Sequence, residues 1–202
     1  MKLFFTPGTC SLVAHILLHE TAQPFTQERV ELASHRTAQN EDYYELNPKG
    51  YVPLLQLDDG QLLSEGPVIA QYLCERAGRT DLLPAVGTLE RYRVLEWQAY
   101  ISSELHKSFS PLFNPSLDAA AKAVFADVLL KKFSWVSAQL AERRYLCNER
   151  FTLADAYLFT VASWSQLVGL DLSALVPLQR YLAGIAELPA VRAARISEAT
   201  QD

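Results

Sequence analysis

Hydrophobic and polar positions in residues 1–78 alternate between the two-residue period of strands and the longer period of helices. In chain order they predict a strand over 2–5, a helix over 10–20, a strand over 25–31, a short helix inside 33–48, a hairpin of strands at 52–57 and 61–64, and a helix over 65–77. The turn at Asp59-Gly60 supports the hairpin, because glycine adopts positive φ angles at low cost. The predicted order is therefore strand, helix, strand, helix, strand, strand, helix.

Strand patterns disappear after Gly78, and only helical periodicity follows. A linker over 79–87 leads into helical patterns at about 88–109, 118–142, 153–168 and 175–187. A strand-containing unit followed by an all-helical unit predicts two packed domains, at 1–78 and 88–202, rather than one mixed sheet.

Charge along the chain excludes several classes of partner. The 202 residues carry 18 basic and 23 acidic side chains, a formal net charge of −5. The basic residues form no stripe along the chain that would predict binding to nucleic acid or to an anionic membrane. No apolar run approaches the roughly 18–20 residues that cross a bilayer, and the amino terminus has neither a signal-peptide nor a transit-peptide pattern. We therefore expect no nucleic-acid partner and no membrane association.

The cysteines and histidines indicate the compartment and argue against a metal. Cys10, Cys74 and Cys147 are an odd number at wide spacing, which favours reduced thiols in the cytoplasm over a disulfide framework. Only His15 and His19 have ligand spacing on a predicted helix, and no second ligand cluster lies nearby in sequence. The sequence thus predicts a cytoplasmic protein without a metal site.

Cys10 is the most informative residue, because it stands where the first strand turns through Pro7-Gly8-Thr9 into a helix. The amides and the dipole of a helix start favour an anion, and cysteines there have pKa values of about 3.5–7.5 instead of about 8.5. The position predicts a thiol primed to ionise, but a lone cysteine in an apolar sequence is often only a small buried hydrophobe. Val13 stands where a dithiol motif has its second cysteine, so redox chemistry here would use one protein thiol.

Thr152 and Asp155 have the spacing of a capping box ahead of an apolar run, with Phe151 and Ala156 placed for a hydrophobic staple. We assign both capping residues to folding rather than chemistry, because their side chains would satisfy amides at the helix start. Removing either is expected to cost on the order of 1 kcal/mol.

Several motifs in order make the chain resemble the glutathione transferases over essentially its whole length, most closely the bacterial beta class. They are Pro-Gly-Thr-Cys-Ser at 7–11, Asn-Pro-Lys-Gly-Tyr-Val-Pro at 47–53, Leu-Ser-Glu-Gly at 63–66, Glu-Leu-His-Lys at 104–107 and Phe-Thr-Leu-Ala-Asp-Ala-Tyr at 151–157. The resemblance implies an α+β two-domain fold: an N-terminal thioredoxin-like βαβαββα domain and a C-terminal all-α helical domain.

The resemblance also implies a glutathione site in the first domain. Cys10 would lie beside the glutathione sulfur, and the backbone of Val52, before a cis bond to Pro53, would pair with the cysteinyl backbone. Glu65 and Gly66 would hold the γ-glutamyl end. The alternatives are that Glu65 is only a helix-terminal acid and Pro53 only an edge-strand proline.

In the second domain, the resemblance makes His106 a catalytic residue near the sulfur. Ser103 and Glu104 would lie where the neighbouring subunit of a homodimer reaches glutathione. A hydrophobic electrophile would bind near Lys107, Phe109, Phe113 and Trp164. By themselves, these aromatic residues are equally good core candidates, and a solitary histidine is usually structural. Glutathione would be a co-substrate, with no cofactor beyond it.

Four positions depart from the family pattern. The family commonly has tyrosine at position 5, lysine at 35, serine at 66 and asparagine at 99, whereas this chain has Phe5, His35, Gly66 and Ala99. Each of these differences removes a polar contact. His35 would contact the glycyl carboxylate, but histidine is mostly uncharged above about pH 6.5. We therefore expect weaker glutathione binding or a different preferred substrate.

The sequence favours an enzyme that directs the thiolate of reduced glutathione at hydrophobic electrophiles. Glutathione-dependent thiol–disulfide exchange, with Cys10 as the nucleophile, is a second activity of the same site. The alternative outside catalysis is a ligand carrier or an interaction protein on the same fold.

Overall fold

The computed structural model describes residues 1–147 and 149–200 and divides the chain into two compact units. The first unit consists of Met1–Leu83 together with the chain from Leu188 onward, and the second unit is Pro84–Glu187. In the described part of the chain, no helix combines the length and the apolarity that spanning a membrane requires.

The first unit contains a five-stranded sheet and helices at its two faces. Its elements are β1 (Lys2–Phe5), α1 (Ser11–Glu20), β2 (Thr26–Glu31), β3 (Arg36–Thr37), α2 (Tyr43–Leu46), β4 (Leu54–Gln56), β5 (Leu62–Ser64), α3 (Gly66–Arg76) and, at the end of the chain, α9 (Pro189–Ala199). The strand order is β3-β2-β1-β4-β5, in which β1 and β2 are parallel and the other neighbours are antiparallel. The predicted α+β fold class and element order are confirmed, with β3 added.

Both faces of β1 are buried because successive strand residues point to opposite sides of a sheet. Phe4 packs with Tyr43 of α2 on one face, while the ring of Phe5 meets His15 of α1 on the other, with ring centroids 5.6 Å apart. Residues 11–18 of α1 are buried around the whole helix, because the sheet, α3 and α9 surround it. This packing fixes the start of α1, where Cys10 stands.

The second unit is entirely helical in the part that the structure describes. It contains α4 (Leu89–Tyr100), a π-helical segment (Ile101–His106), α5 (Lys107–Phe113), α6 (Ala119–Gln139), α7 (Leu153–Ser163) and α8 (Val176–Ala186). Ten consecutive residues of α7, from Leu153 to Ala162, are buried, because α4, the π-helical segment and α8 surround that helix.

The structure differs from the sequence-based expectation at several helix ends, since the helix predicted over 153–168 ends at Ser163, and more substantially in three places. The predicted helix over 88–109 is interrupted by the π-helical segment and ends at Phe113. The two-residue strand β3 was not predicted, because a run so short carries no periodicity. Helix α9 was also not predicted, and it packs with the first unit rather than with the helical domain.

Candidate active site

Hydrogen bonds among its own residues hold the turn between β1 and α1 together. The Thr9 hydroxyl donates to Thr6 O at 2.8 Å, the Ser11 hydroxyl donates to the same oxygen at 3.1 Å, and the Thr6 hydroxyl donates to Val30 O of β2 at 2.7 Å. These bonds join the turn to the sheet. The backbone on both sides of Cys10 is therefore held in one place.

The Cys10 thiol donates to the carbonyl oxygen of Val52, with Sγ and O 3.2 Å apart. Burial, helped by the negative charge of Glu65, raises the pKa of Cys10 to about 11. The first amides of α1 are already bonded, since Ser11 N–H donates to Thr9 Oγ1 and Val13 N–H donates to Cys10 O. Desolvation therefore acts against the ionisation that a position at a helix start favours, and a reactive role for Cys10 stays a prediction.

The peptide bond between Val52 and Pro53 is cis, as the resemblance implied. Tyr43 Oη and Asn47 Nδ2 both donate to the carbonyl oxygen of Tyr51, at 2.9 and 2.7 Å, which fixes the backbone just before this bond. Gly66, the first residue of α3, faces Pro53: a β-carbon there would lie 3.7 Å from Pro53 Cγ, an ordinary contact. A serine, the common family residue, would therefore fit at this position.

Glu65 precedes α3 with φ of +70°, a conformation that residues with a side chain seldom adopt and that occurs preferentially at functional sites. Its carboxylate is exposed and accepts from Lys49 Nζ at 2.6 Å, while the same ammonium donates to Ser64 Oγ at 2.8 Å. Glu65 thus has an exposed carboxylate, which is a group that binds the ammonium of a ligand.

His35 lies against the ring of Tyr44, with ring centroids 4.3 Å apart, and above Gly50. Its Nδ1 is buried and has no hydrogen-bond partner among residues 1–147 and 149–200. Gly50 has φ of +71°, and a β-carbon there would come within 2.7 Å of Tyr44 Cε1 and 2.9 Å of His35 Cε1. The glycine in the Asn-Pro-Lys-Gly motif is therefore what allows the histidine ring to pack in this position.

His106 ends the π-helical segment, and its Nδ1 lies 2.7 Å from Tyr157 Oη of α7. Burial, with a smaller effect of the Lys107 charge, lowers the pKa of His106 to about 4. The imidazole is therefore neutral near neutral pH. π-Helical turns occur frequently at functional sites, which agrees with the predicted importance of this residue.

The predicted electrophile residues form one aromatic group with His106. The Trp164 ring centroid lies 4.8 Å from that of His106, 5.6 Å from Phe109 and 6.1 Å from Phe113. Phe109 and Trp164 are buried core residues, whereas Phe113 and Lys107 are exposed. Phe109 and Trp164 therefore match the core interpretation, and electrophile binding by this group stays a prediction.

Glu104 is held within its own chain. Its carboxylate pairs with Lys132 at 2.9 Å, and the Lys132 ammonium donates also to the Glu104 carbonyl oxygen at 3.0 Å. The hydrogen bond from Lys132, followed by its charge, lowers the pKa of Glu104. Ser103 is exposed beside this pair. Whether either residue contacts glutathione across a dimer stays a prediction.

Three site residues were not predicted from the sequence: Lys49, Lys132 and Tyr157. Lys49 lies inside a motif that carried the resemblance, so its place near Glu65 had a weak signal. Tyr157 and Lys132 are 51 and 28 residues from His106 and Glu104 in sequence, and only the packing of α6 and α7 reveals these pairs.

Comparison with known proteins connects this arrangement to one family. The family model for the glutathione S-transferase N-terminal domain matches residues 8–76, and the model for the C-terminal domain matches residues 116–193. The glutathione S-transferase GstA of Escherichia coli O157:H7 is 43% identical over 198 residues, which cover 98% of this chain and 98% of GstA.

Two solved structures extend this similarity to the fold. A sphingomonad glutathione S-transferase in complex with glutathione is 40% identical, with a TM-score of 0.94 over 98% of this chain and 99% of that chain. The beta-class glutathione S-transferase of Sphingomonas chungbukensis is 38% identical, with a TM-score of 0.94 over 98% of both chains. The similarity thus covers nearly all of each protein.

Proposed function

Because this chain belongs to the glutathione S-transferase family, as a glutathione transferase of the bacterial beta class, we propose that its first unit binds reduced glutathione around Cys10, Val52 and Gly66. The supporting observation is that three distant segments converge. The Cys10 thiol donates a hydrogen bond to Val52 O, and Gly66 packs beside Pro53 of the cis peptide. The similar sphingomonad enzyme was solved with glutathione bound.

The two ends of glutathione would contact different residues in this site. Its ammonium is attracted by the exposed carboxylate of Glu65, and its γ-glutamyl carboxylate by Lys49 and the start of α3. Its glycyl carboxylate would lie near His35, whose buried Nδ1 has no partner among the described residues. The backbone of Val52 would pair with the cysteinyl residue.

Cys10 would assist conjugation as a hydrogen-bond donor rather than as a nucleophile. Burial raises its pKa to about 11, so it is protonated near neutral pH. A neutral S–H can donate to the thiolate of glutathione, as it now donates to Val52 O. Donors already oriented toward a developing or bound anion lower the cost of forming it. The glutathione thiolate then attacks the electrophilic carbon and displaces its leaving group or adds to it.

In the second unit, we assign the electrophile to the aromatic group of Phe109, Phe113 and Trp164. Phe113 is exposed at 47%, and it therefore offers an apolar surface to a substrate. His106 is neutral and fixed by Tyr157, so it can orient or polarise a reacting group without carrying a charge.

Thiol–disulfide exchange is the second candidate activity, favoured by the half-buried position of the Cys10 thiol in the proposed site. The Cys10 thiolate would attack the glutathionyl sulfur of a mixed disulfide and release the other thiol as a thiolate. A second glutathione thiolate would then attack the glutathionyl–Cys10 disulfide, which regenerates Cys10 and yields oxidised glutathione. The raised pKa makes this activity slow at neutral pH.

We also propose a homodimer in the cytoplasm. The supporting features are exposed apolar side chains on α4 and α6, namely Leu89, Tyr92, Val124, Phe125, Val128 and Trp135. Three cysteines at wide spacing in the sequence fit a reducing compartment. Sedimentation equilibrium is expected to give twice the chain mass of 22.6 kDa, and a monomer at micromolar concentration would contradict the dimer.

Calorimetric titration with reduced glutathione tests the proposed site directly. We expect saturable binding at one site per chain, and about tenfold weaker binding by Glu65→Gln, because the variant lacks the carboxylate that meets the ammonium. Gly66→Ser is expected to bind more tightly than the natural chain, because its β-carbon makes only an ordinary contact with Pro53 and its hydroxyl adds a hydrogen-bond donor for the γ-glutamyl carboxylate.

Two controls match these variants. Glu41→Gln removes an exposed charge from the same unit and should leave glutathione binding unchanged. Gly184→Ser makes the serine replacement inside α8, where a β-carbon meets nothing within 4 Å, and should also leave binding unchanged. No saturable binding at millimolar glutathione by either the natural chain or Gly66→Ser would exclude the site.

A further inference from the structure

Residues that follow α6 and residues of α8 line a cavity within the second unit. Its volume is about 400 Å³, and cavities that bind small organic molecules have volumes of about 300–1,000 Å³. None of the residues that line it belongs to the candidate active site. The cavity therefore offers room for a ligand that the active site does not account for.

The floor of the cavity is apolar. Tyr145, Tyr181 and Ile185 line it, and all three are buried. The Tyr181 hydroxyl already donates to Asp155 at 2.9 Å, so its proton is not available to a ligand. Gly184 leaves the cavity open, because a β-carbon at this position of α8 would meet nothing within 4 Å. The floor therefore suits a flat apolar group such as an aromatic ring.

Three exposed arginines line the same cavity, namely Arg143, Arg144 and Arg180. Arg180 is held from the side of α6, since its Nη2 donates to the carbonyl oxygens of Leu140 and Ala141 at 2.8 and 2.9 Å. These bonds fix the guanidinium group and leave its Nη1 and Nε as donors. The cavity therefore has at least one oriented positive group.

Arg143 and Arg144 belong to the loop after α6, and neither forms an ion pair with any residue in the part of the chain that the structure describes. The Arg144 guanidinium lies over the Tyr145 ring, with Cζ 5.3 Å from the ring centroid, and an arginine stacked in this way keeps N–H groups for a carboxylate. Glu142 also lines the cavity, but it is one negative charge beside three positive ones. The cavity therefore favours an anionic ligand.

We propose that this cavity is a binding site for aromatic carboxylates. The ring would lie on Tyr145, Tyr181 and Ile185, and the carboxylate would bind the guanidinium groups of Arg143 and Arg144. The fork of a guanidinium matches a carboxylate, because two parallel N–H groups can bond to its two oxygens. A neutral ring lacks the charge for these bonds, and an inorganic anion lacks the apolar surface for the floor. The site does not depend on glutathione binding by the first unit.

Titration of the full chain with 2-naphthoate, followed by NMR of the backbone amides, tests the site. The chain has only eight glycines, so the amides of Gly184 in the cavity and Gly66 in the proposed glutathione site are separate reporters. We expect the Gly184 and Tyr145 signals to shift saturably with a dissociation constant of about 0.1–1 mM, while Gly66 stays unchanged. Neutral 2-naphthalenemethanol, and inorganic sulfate at the same ionic strength, should bind at least about tenfold more weakly.

Three variants and one control connect the binding to the cavity. Arg143→Gln and Arg144→Gln should each weaken naphthoate binding about tenfold, because each loses a charged donor. Gly184→Leu should abolish the shift of Tyr145, because its side chain fills the cavity, and α8 should still form because leucine is a better helix former than glycine. Arg195→Gln removes an exposed arginine outside the cavity and should bind like the natural chain.

Unchanged dispersion of the other amide signals would show that each variant is folded. The proposal is overturned if Gly184 does not shift at about 10 mM naphthoate, or if the alcohol or sulfate binds as tightly as naphthoate. It is also overturned if both arginine variants and Gly184→Leu keep the natural affinity. A shift at Gly66 alone, or binding lost by Phe113→Ala but kept by Gly184→Leu, would place naphthoate in the candidate active site and exclude the cavity.

Discussion

Alkylation of Cys10 is expected to accelerate about tenfold for each pH unit between pH 6 and 10, because only the thiolate reacts and its fraction is small throughout this range. Burial raises the pKa of Cys10 to about 11, and its proton is donated to Val52 O. The expected rate constant at neutral pH is about four orders of magnitude below that of the fully ionised thiol.

Iodoacetamide labelling with quantification of the Cys10 peptide measures this dependence. Cys74 and Cys147 serve as internal controls, since both are buried and should remain unlabelled in the folded protein. A labelling rate that levels off between pH 6 and 8 would show an acidified thiol and contradict the expectation. Cys10→Ala should abolish glutathione-dependent disulfide exchange, and exchange retained by this variant would remove Cys10 as its nucleophile.

Replacement of Asp155 by alanine is expected to lower the free energy of unfolding by about 3–5 kcal/mol, because several buried donors lose their acceptor. The carboxylate is fully buried and accepts four hydrogen bonds. Their donors are the N–H and the hydroxyl of Thr152, the N–H of Leu146 and the hydroxyl of Tyr181, all at 2.8–2.9 Å. Denaturant unfolding followed by circular dichroism measures the loss.

Asp118 provides the matched control, since it also precedes a helix but is exposed and accepts from Ala121 N–H at 2.8 Å. Asp118→Ala is expected to cost about 1 kcal/mol. Tyr181→Phe removes one of the four donors and should cost about 1 kcal/mol, which keeps the test available if Asp155→Ala does not fold. Equal costs for the two aspartate variants would show that Asp155 acts only as a helix cap.

The sequence predicts only part of the role of Asp155. The spacing from Thr152 indicated a capping box, and the structure contains it. The expected cost of about 1 kcal/mol counted only the local helix start. The bonds to Leu146 and Tyr181 come from positions 9 and 26 residues away, which no local pattern connects to Asp155. The larger cost expected now arises from these distant donors.

Helix α9 was not predicted from the sequence, for a different reason. Pro189 at its start and the buried positions Ala190, Val191 and Ala194 form a helical signal that the sequence analysis did not use. Even a correct helix prediction would not have identified its partner. Its contacts with α1 place Glu198 at Gly8, 190 residues away in sequence, and such a pairing depends on how helices pack rather than on their periodicity.

The sequence by itself determined the element order of the first unit apart from β3 and α9, the change to helices after Gly78, and the residue types of the proposed glutathione site, because periodicity, turn chemistry and motifs are local properties. Tertiary structure alone decided the raised pKa of Cys10, the ion pair of Glu65 with Lys49, the lowered pKa of His106 and the hydrogen bond between Glu198 and Gly8. The reason is physical: pKa values and buried hydrogen bonds depend on desolvation and on neighbours brought together by folding, and neither is encoded at a fixed distance along the chain.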